Sequence, residues 1–274
     1  MSSPAVTAFR ALHESGCFVM PNPWDRGSAR FLAQLGFRAL ATTSAGFAFT
    51  RAKPDALGAV PLAEMLDHLR DVVAATTLPI NADFQDGFAR DPDGVQSSVR
   101  ACVSTGVAGL SVEDATGDAA APLHDRALAV ERVRAARTAI DDSGTGVVLT
   151  ARCEAYLVDD PDPQRTALDR LVAYAEAGAD CLFAPGVRDP AAIRAMVDAV
   201  APRPLNVLVS RPVPGLDAAR LAELGVRRIS VGSALARVAW GAFARAARAI
   251  ADTGSFDLLA DAMAFDELEA LFGA

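Results

Sequence analysis

The sequence predicts a closed (β/α)8 TIM barrel, and three observations carry that reading. A unit of helix, glycine and short apolar strand recurs as "LAQLGFRALATT", "CVSTGVAGLSVED", "YAEAGADCLFAP" and "LAELGVRRISVGS". Four more apolar segments, at 17–20, 78–83, 146–152 and 204–210, bring the strand count to eight. These runs lack strict alternation, which suits parallel strands buried on both faces. A barrel of this type needs about 250 residues, and the chain has 274. A doubly wound sheet is the alternative, but no Gly-x-Gly-x-x-Gly turn follows the first strand.

Each element has a local reason. "PAVTAFRALHE" reads as a helix that precedes the barrel. Gly36, Gly106, Gly178 and Gly225 sit where a left-handed residue ends a helix before the next strand. "TTSAG" after the second strand reads as a small-residue turn, and Asp86-Gly87 as a turn after the third. The tail "SFDLLADAMAFDELEALFG" has apolar residues at helical spacing, so it should pack on this chain or on a neighbouring subunit. Without a linker or low-complexity segment, residues 1–274 read as a single domain.

Composition narrows the chemistry. The net charge is −8, which disfavours nucleic acid or an anionic membrane as partner. No apolar run approaches the length of a membrane span, and the first residues lack a signal core, so a cytoplasmic location is expected. The cysteines Cys17, Cys102, Cys153 and Cys181 are widely spaced and read as reduced thiols. Lys53 is the only lysine and lies in a loop beside Pro54, a poor setting for a Schiff-base amine. Of three histidines only His124 falls in a predicted loop, so acid–base candidates are few.

Barrel enzymes work at the C-terminal ends of their strands. Here those ends carry Asn22, Trp24 and Asp25 on strand 1, Thr43 to Gly46 on strand 2, and Asp83 and Gln85 on strand 3. Strand 4 brings Glu113 and Asp114, strand 5 Arg152 and Glu154, strand 7 Asn206, and strand 8 the "SVGSA" turn. On an extended segment Asp83 and Gln85 point the same way, and Glu113 can join them. Such oxygen-only donors suit Mg²⁺ or Mn²⁺. Structural ion pairing serves the same pattern equally well: Arg152 can neutralise Glu113, and Asp114 can start a helix. The "TTSAG" turn can cradle an anionic oxygen or be a tight loop, and "SVGSA" can be a phosphate cup or simply start the last helix.

Taken together, these stretches resemble the isocitrate lyase/phosphoenolpyruvate mutase superfamily. The blocks run in order from "MPNPWDRGSARFLAQLGFRALATTSAGFA" through "LPINADFQDGFA", "GVAGLSVEDATGD" and "LTARCEAYL" to "LGVRRISVGSALAR". The resemblance implies a Mg²⁺-dependent barrel that typically exchanges its eighth helix between subunits of a homodimer or homotetramer. It implies action on a small α-oxo carboxylate through an enolate. Asp83 matches the directly coordinating aspartate, Glu113 and Asp55 the acids that hold metal through water, and Gln85 stands where a second acid is usual. Ser44, Ala45 and Gly46 match a carboxylate cradle and Arg152 the arginine that grips substrate. Trp24 and Asp25 fit a strand-1 motif of a less characterised branch, and Trp24 and Asn206 complete the candidate substrate-binding set.

The departures are as informative. Isocitrate and methylisocitrate lyases carry a K-[KR]-C-G-H loop after strand 4, where this chain reads "ATGDAAAPLHDR", without Lys or Cys. Strand 6 ends "FAPG", without the lyases' glutamate. Isocitrate cleavage is therefore rejected, and the proton source is left to bound water or His124. A phosphonomutase-type reaction at a P–C bond, or an inactive carboxylate-binding barrel, are the alternatives.

Overall fold

The computed structural model describes residues 3–273. Eight parallel strands form the wall: β1 (Phe18–Met20), β2 (Leu40–Ala41), β3 (Ile80–Asp83), β4 (Gly109–Glu113), β5 (Val148–Arg152), β6 (Cys181–Phe183), β7 (Leu205–Leu208) and β8 (Arg228–Ser230). Every strand pairs with its sequence neighbour from β2 to β8, and β8 pairs back onto β1 with Met20 opposite Ser230. The seam between β1 and β2 is held by Ala41 N–H donating to the Pro21 carbonyl at 3.1 Å. The expected barrel is thus the observed one.

The helices are α1 (Pro4–Glu14), α2 (Arg26–Gln34), α3 (Ser44–Thr50), α4 (Leu62–Ala74), α5 (Pro92–Val103), α6 (Arg126–Ser143), α7 (Pro163–Glu176), α8 (Pro190–Val200), α9 (Ala218–Glu223), α10 (Ala234–Thr253) and α11 (Phe265–Phe272). Asp91, Asp162 and Asp189 each accept a first-turn N–H, and each is followed by a proline at the first helical position. That Asp-Pro pairing presets φ where no donor is needed and fills one orphan donor with a carboxylate. Asp25, Asp125 and Asp217 cap α2, α6 and α9 in the same way. Six of the chain's 34 acidic residues are thus helix punctuation. The four helix-ending glycines all have positive φ, as expected.

One expectation fails at "TTSAG". It is the first turn of a short helix, α3, capped by Thr43, whose hydroxyl accepts from Gly46 N–H at 3.2 Å. Thr43, as N-cap, thereby satisfies one of the orphan donors of a helix start, so the segment continues into a helix rather than a loop.

The bore is polar where such barrels usually hold branched apolar side chains. Arg228, 1% exposed, lies inside it and donates to Asn206 Oδ1 at 3.0 Å and Thr150 Oγ1 at 2.9 Å. Below it, His13 Nε2 lies 3.3 Å from the guanidinium. Burial, then the charge of Arg228, lowers the His13 pKa to about 3, so His13 is neutral and accepts. Helix α1 closes the floor by placing Phe9 over Gly109, where an added Cβ would come within 2.5 Å of the Phe9 ring.

At the other end of the bore, Asn22 acts as a clasp. Its Nδ2 donates to the Thr42 carbonyl at 2.8 Å, and its Oδ1 accepts from Val231 and Gly232 N–H at 2.9 Å each. One buried amide thus joins the ends of β1, β2 and β8. The C-terminal tail returns to α2, where Gln34 Nε2 donates to the Leu271 carbonyl at 3.2 Å. Among the described residues no helix is long and apolar enough to cross a membrane.

Asn22→Ala strands three backbone groups at once. The expected loss of unfolding free energy is about 2–4 kcal/mol, since each buried unsatisfied group costs about 1–3 kcal/mol and some regain water. Urea unfolding of both proteins checks this; an unchanged midpoint would show that the clasp contributes nothing.

Candidate active site

Strands β2 to β5 deliver their polar ends to one rim. Thr42 Oγ1 accepts from Asp83 N–H at 2.9 Å and fixes the end of β3 against β2. Asp83 Oδ2 then accepts from both the amide and the hydroxyl of Ser44, at 2.9 Å each. Its other oxygen faces Arg152 Nη1 at 3.3 Å. Sheet register sets Glu113 directly beside Arg152, and the two pair at 3.1 Å. Glu154 closes on Arg152 Nε from the same strand extension. One guanidinium therefore sits among three carboxylates, with its face 5.4 Å from the Phe183 ring centre.

Charge balance is the important property of this rim. Burial raises the Glu113 pKa well above the usual carboxylate range, against the pull of Arg152, and the nearby acids add to it. Burial, then the charge of Asp83, also raises that of Asp55. Burial opposes the charge on Arg152, but Glu113, Glu154 and Asp83 more than offset it and hold its pKa well above normal. Asp55, Asp83, Glu113 and Glu154 together outnumber the one cation among them.

Two connected spaces open here. A cavity of about 350 Å³ reaches down the bore past Ser44, Asp83 and Arg152 to Arg228. An outer cleft of about 520 Å³ is lined by Asp55, Gln85, Glu113, Glu154 and Thr116. Ser44, Asp55, Arg152 and Leu157 line both, so they form one continuous site.

The candidates from sequence take distinct places. Ser44, Ala45, Asp55, Asp83, Arg152 and Asn206 line the cavity, and Gln85 and Glu113 the outer cleft. The argument that Asp83 and Gln85 share a face fails, because β3 ends at Asp83 and Gln85 has a left-handed φ of +44°. Its carbonyl is held there by Glu113 N–H at 2.9 Å. The amide of Gly46 is bonded to Thr43, and the amide and hydroxyl of Ser44 are both bonded to Asp83, which leaves the Ala45 amide as the donor of this turn for a cradle. Trp24 packs against Gly46 and is not among the cavity-lining residues, and Asp25 caps α2. Asn206 is engaged in the bore by Arg228 and donates to Ser230 Oγ at 3.0 Å.

His124 stands behind the cleft rather than in its lining. Its carbonyl accepts from Arg170 at 2.8 Å, and burial, then Arg132, lowers its pKa to about 4. It is neutral near pH 7 and has no place on the cavity wall. Asp114, which could have started a helix, instead receives Arg170 at 3.0 Å, Tyr174 at 2.6 Å and Glu154 N–H at 2.8 Å. It braces the strand-5 extension. Glu154 itself was visible as a strand-end acid but had no role assigned; its spacing two residues after Arg152 was the available signal. Lys53 pairs with Glu64 at 3.2 Å, away from any nucleophilic role.

Among the described residues, no three His, Cys, Asp or Glu side chains converge into a ready metal cage. The donor chemistry still fits a hard divalent cation. All the donors are oxygens and the carboxyl groups outnumber the one local cation, and Mg²⁺ commonly keeps several waters and takes only one or two carboxylates directly.

Comparison with known proteins decides the family. The phosphoenolpyruvate phosphomutase family model matches residues 9–251. The chain belongs to that family. An uncharacterised protein of Mycobacterium tuberculosis is 35% identical over 246 residues, covering 89% of each chain. Oxaloacetate decarboxylase of Pseudomonas aeruginosa is 32% identical over 234 residues, 82% of this chain and 78% of that one. Among solved structures, a Burkholderia cenocepacia protein provisionally assigned as a lyase/mutase is 45% identical, with a TM-score of 0.94 over 98% of this chain and 96% of the other. A phosphonopyruvate hydrolase solved with oxalate and Mg²⁺ is 25% identical, with a TM-score of 0.86 over 100% of this chain and 95% of that one. This phosphomutase-family chain thus shares its barrel with enzymes that handle small oxo acids.

Removing the shared cation should expose the cost of the carboxylates. Arg152→Met is expected to lower unfolding free energy by about 3–5 kcal/mol, the usual effect of leaving a buried charge unpaired. Arg152→Lys keeps the charge, loses the fork and should cost clearly less. Equal losses in denaturant titrations would show that packing, not charge, is what Arg152 supplies.

Proposed function

We propose that this protein is a Mg²⁺-dependent lyase that breaks the bond beside the oxo group of a small α-oxo carboxylate, with oxaloacetate the nearest model substrate. The observation that carries the reading is the single cleft in which Ser44 and Arg152 adjoin an oxygen-only rim whose carboxyl groups outnumber its cation. The oxaloacetate decarboxylase relative and the oxalate–Mg²⁺ complex of the hydrolase support it.

Asp83 would hold the metal directly, with Asp55, Glu113 and Gln85 acting through water. When bound, Mg²⁺ supplies Lewis-acid polarisation of the oxo group. Arg152, whose Nε and Nη1 serve Glu154, Asp83 and Glu113, would offer a substrate carboxylate its Nη2 edge. The Ala45 amide would meet the same carboxylate, while the Ser44 amide and hydroxyl hold Asp83 in place beside it. Arg152 also keeps Glu113 and Glu154 from repelling the anion as electrons move from the breaking bond toward the oxo oxygen. His124 does not line the cleft, which leaves bound water as the proton source. Gln85 brings a neutral amide where an acid is usual; its oxygen accepts from metal-held water but adds no charge. The strand-4 loop, without Cys or Lys, argues against isocitrate-type cleavage.

Oxaloacetate, phosphonopyruvate and 2-methylisocitrate separate the readings. Release of pyruvate from oxaloacetate is expected with Mg²⁺, lost on chelation and restored by Mg²⁺ or Mn²⁺. Glyoxylate from 2-methylisocitrate is not expected. Full activity after exhaustive chelation would reject the metal, and binding of all three without turnover would leave a carboxylate-binding barrel.

The assembly is a homodimer or homotetramer, with α10 and α11 covered by a second copy. Only Ala236 of the 20 residues in α10 is buried, while Val238, Trp240 and Phe243 are exposed at 68%, 46% and 63%. Trp240 and Phe243, whose ring centres are 5.6 Å apart, make an exposed apolar patch of the kind that marks an interaction surface. Sedimentation should show an oligomer that Phe243→Glu shifts toward smaller species; a monomeric wild type would exclude it.

A further inference from the structure

The segment that leads from β3 into α5 has an unusual backbone. Gln85, Gly87 and Phe88 have φ of +44°, +77° and +56°. Glycine takes such values freely, but Gln85 and Phe88 carry a Cβ that the left-handed region crowds. Two such residues so close together persist only where the surroundings over-determine them. The turn has a use. It sets Gln85 in the outer cleft with Glu113 and Asp55, while Asp83 lines the bore cavity.

The loop is held by its carbonyl oxygens. That of Phe84 accepts from Gly87 N–H at 2.9 Å, and that of Gln85 from Glu113 N–H at 2.9 Å. The Gly87 carbonyl accepts from the Ser98 hydroxyl of α5. The carbonyls of Asp86, Ala89 and Arg90 all converge on one guanidinium, that of Arg132 in α6. Its Nη2 donates to Asp86, and its Nη1 donates to Ala89 and, at 2.7 Å, to Arg90.

Arg132 is 1% exposed, and a buried cation is costly. The acids around it are engaged elsewhere. Asp114 receives Arg170 and Tyr174, and the Asp86 carboxylate accepts from Phe88 N–H at 2.9 Å. The charge is spent instead on the backbone of a single loop. Carbonyl dipoles aimed at one point repel unless a cation stands between them, so the guanidinium dictates the shape of the loop. A planar fork can serve oxygens on two sides at once, which the point charge of a lysine does not. Arg132 lines neither the bore cavity nor the outer cleft.

We propose that Arg132 is a positioning residue for the metal-facing rim: its grip on three carbonyls keeps Gln85 left-handed and so fixes where the Gln85 amide meets metal-held water. This rests on the reading of Gln85 given above. Arg132 touches neither metal nor substrate and acts through the loop alone. Ser98 supports the same loop from α5 with one bond fewer charges behind it, so its contribution has the same sign and a smaller size.

The probe is Mn²⁺, titrated calorimetrically into the full chain, with urea unfolding of each variant as a separate record of folding. Arg132→Lys is expected to raise the Mn²⁺ Kd by about 10-fold, at the lower end of what lost support behind a metal site costs. Ser98→Ala should raise it less. The deciding comparison is made in a Gln85→Ala background, where Arg132→Lys should change the Kd by less than about twofold, because the group it positions is gone. An unchanged Kd on Arg132→Lys alone overturns the proposal. Equal losses with and without the Gln85 side chain overturn it too, since Arg132 would then support the rim by another route. If Arg132→Lys does not fold, Ser98→Ala in the two backgrounds decides by the same criteria. Failure of wild type to bind Mn²⁺ removes the metal reading and this role with it, whereas normal binding that ignores Arg132 and Ser98 removes only the role.

Discussion

The guanidinium of Arg152 is what allows three carboxylates to share one end of a buried barrel. Each carboxylate arrives for its own reason: Asp83 ends β3, Glu113 ends β4 and Glu154 follows β5. Parallel register then makes them neighbours, because Arg152 lies opposite Glu113 across the β4–β5 ladder. Without a cation between them the strand ends would repel, and burial would force protons onto them. Asp83 passes the organisation onward by taking the Ser44 amide and hydroxyl, which places the start of α3. The braces behind the rim serve the same end, since Asp114 holds the backbone of Glu154 through a buried carboxylate already paired to Arg170.

The same cation leaves an imbalance that gives the site its direction. A rim with more carboxylates than partners invites a small hard cation.

How much of this was legible in sequence depended on the range of the interaction. The strands and the glycines that end the preceding helices were readable because each depends on a few adjacent residues, and Gly36, Gly106, Gly178 and Gly225 do adopt positive φ. The charged strand ends were readable once a parallel barrel was assumed, since that fold sends every strand end to one rim. Local competition hid other features. Thr43 turned a presumed loop into a helix start, and Gln85 left the extended conformation that the two-residue spacing assumes. His124 looked available only because it lay in a loop; its carbonyl contact with Arg170, distant in sequence, carries it behind the site. Arg228 was invisible as a bore residue, because its partners Asn206, Thr150 and His13 come from three separate elements.

The floor contact between α1 and β8 has a consequence for how the chain is made. His13 meets Arg228, and Asn22 meets Val231 and Gly232, so the earliest residues wait for some of the last to complete both ends of the barrel. During synthesis the N-terminal strands emerge with an open hydrogen-bonding edge and a helix that has only part of its seat. Unpaired edges of that kind are where nascent chains associate wrongly. The barrel cannot close until β8 has been made, since that strand lies between β7 and β1. A ribosome stalled before that strand would hold a nearly finished sheet whose first strand still lacks its neighbour.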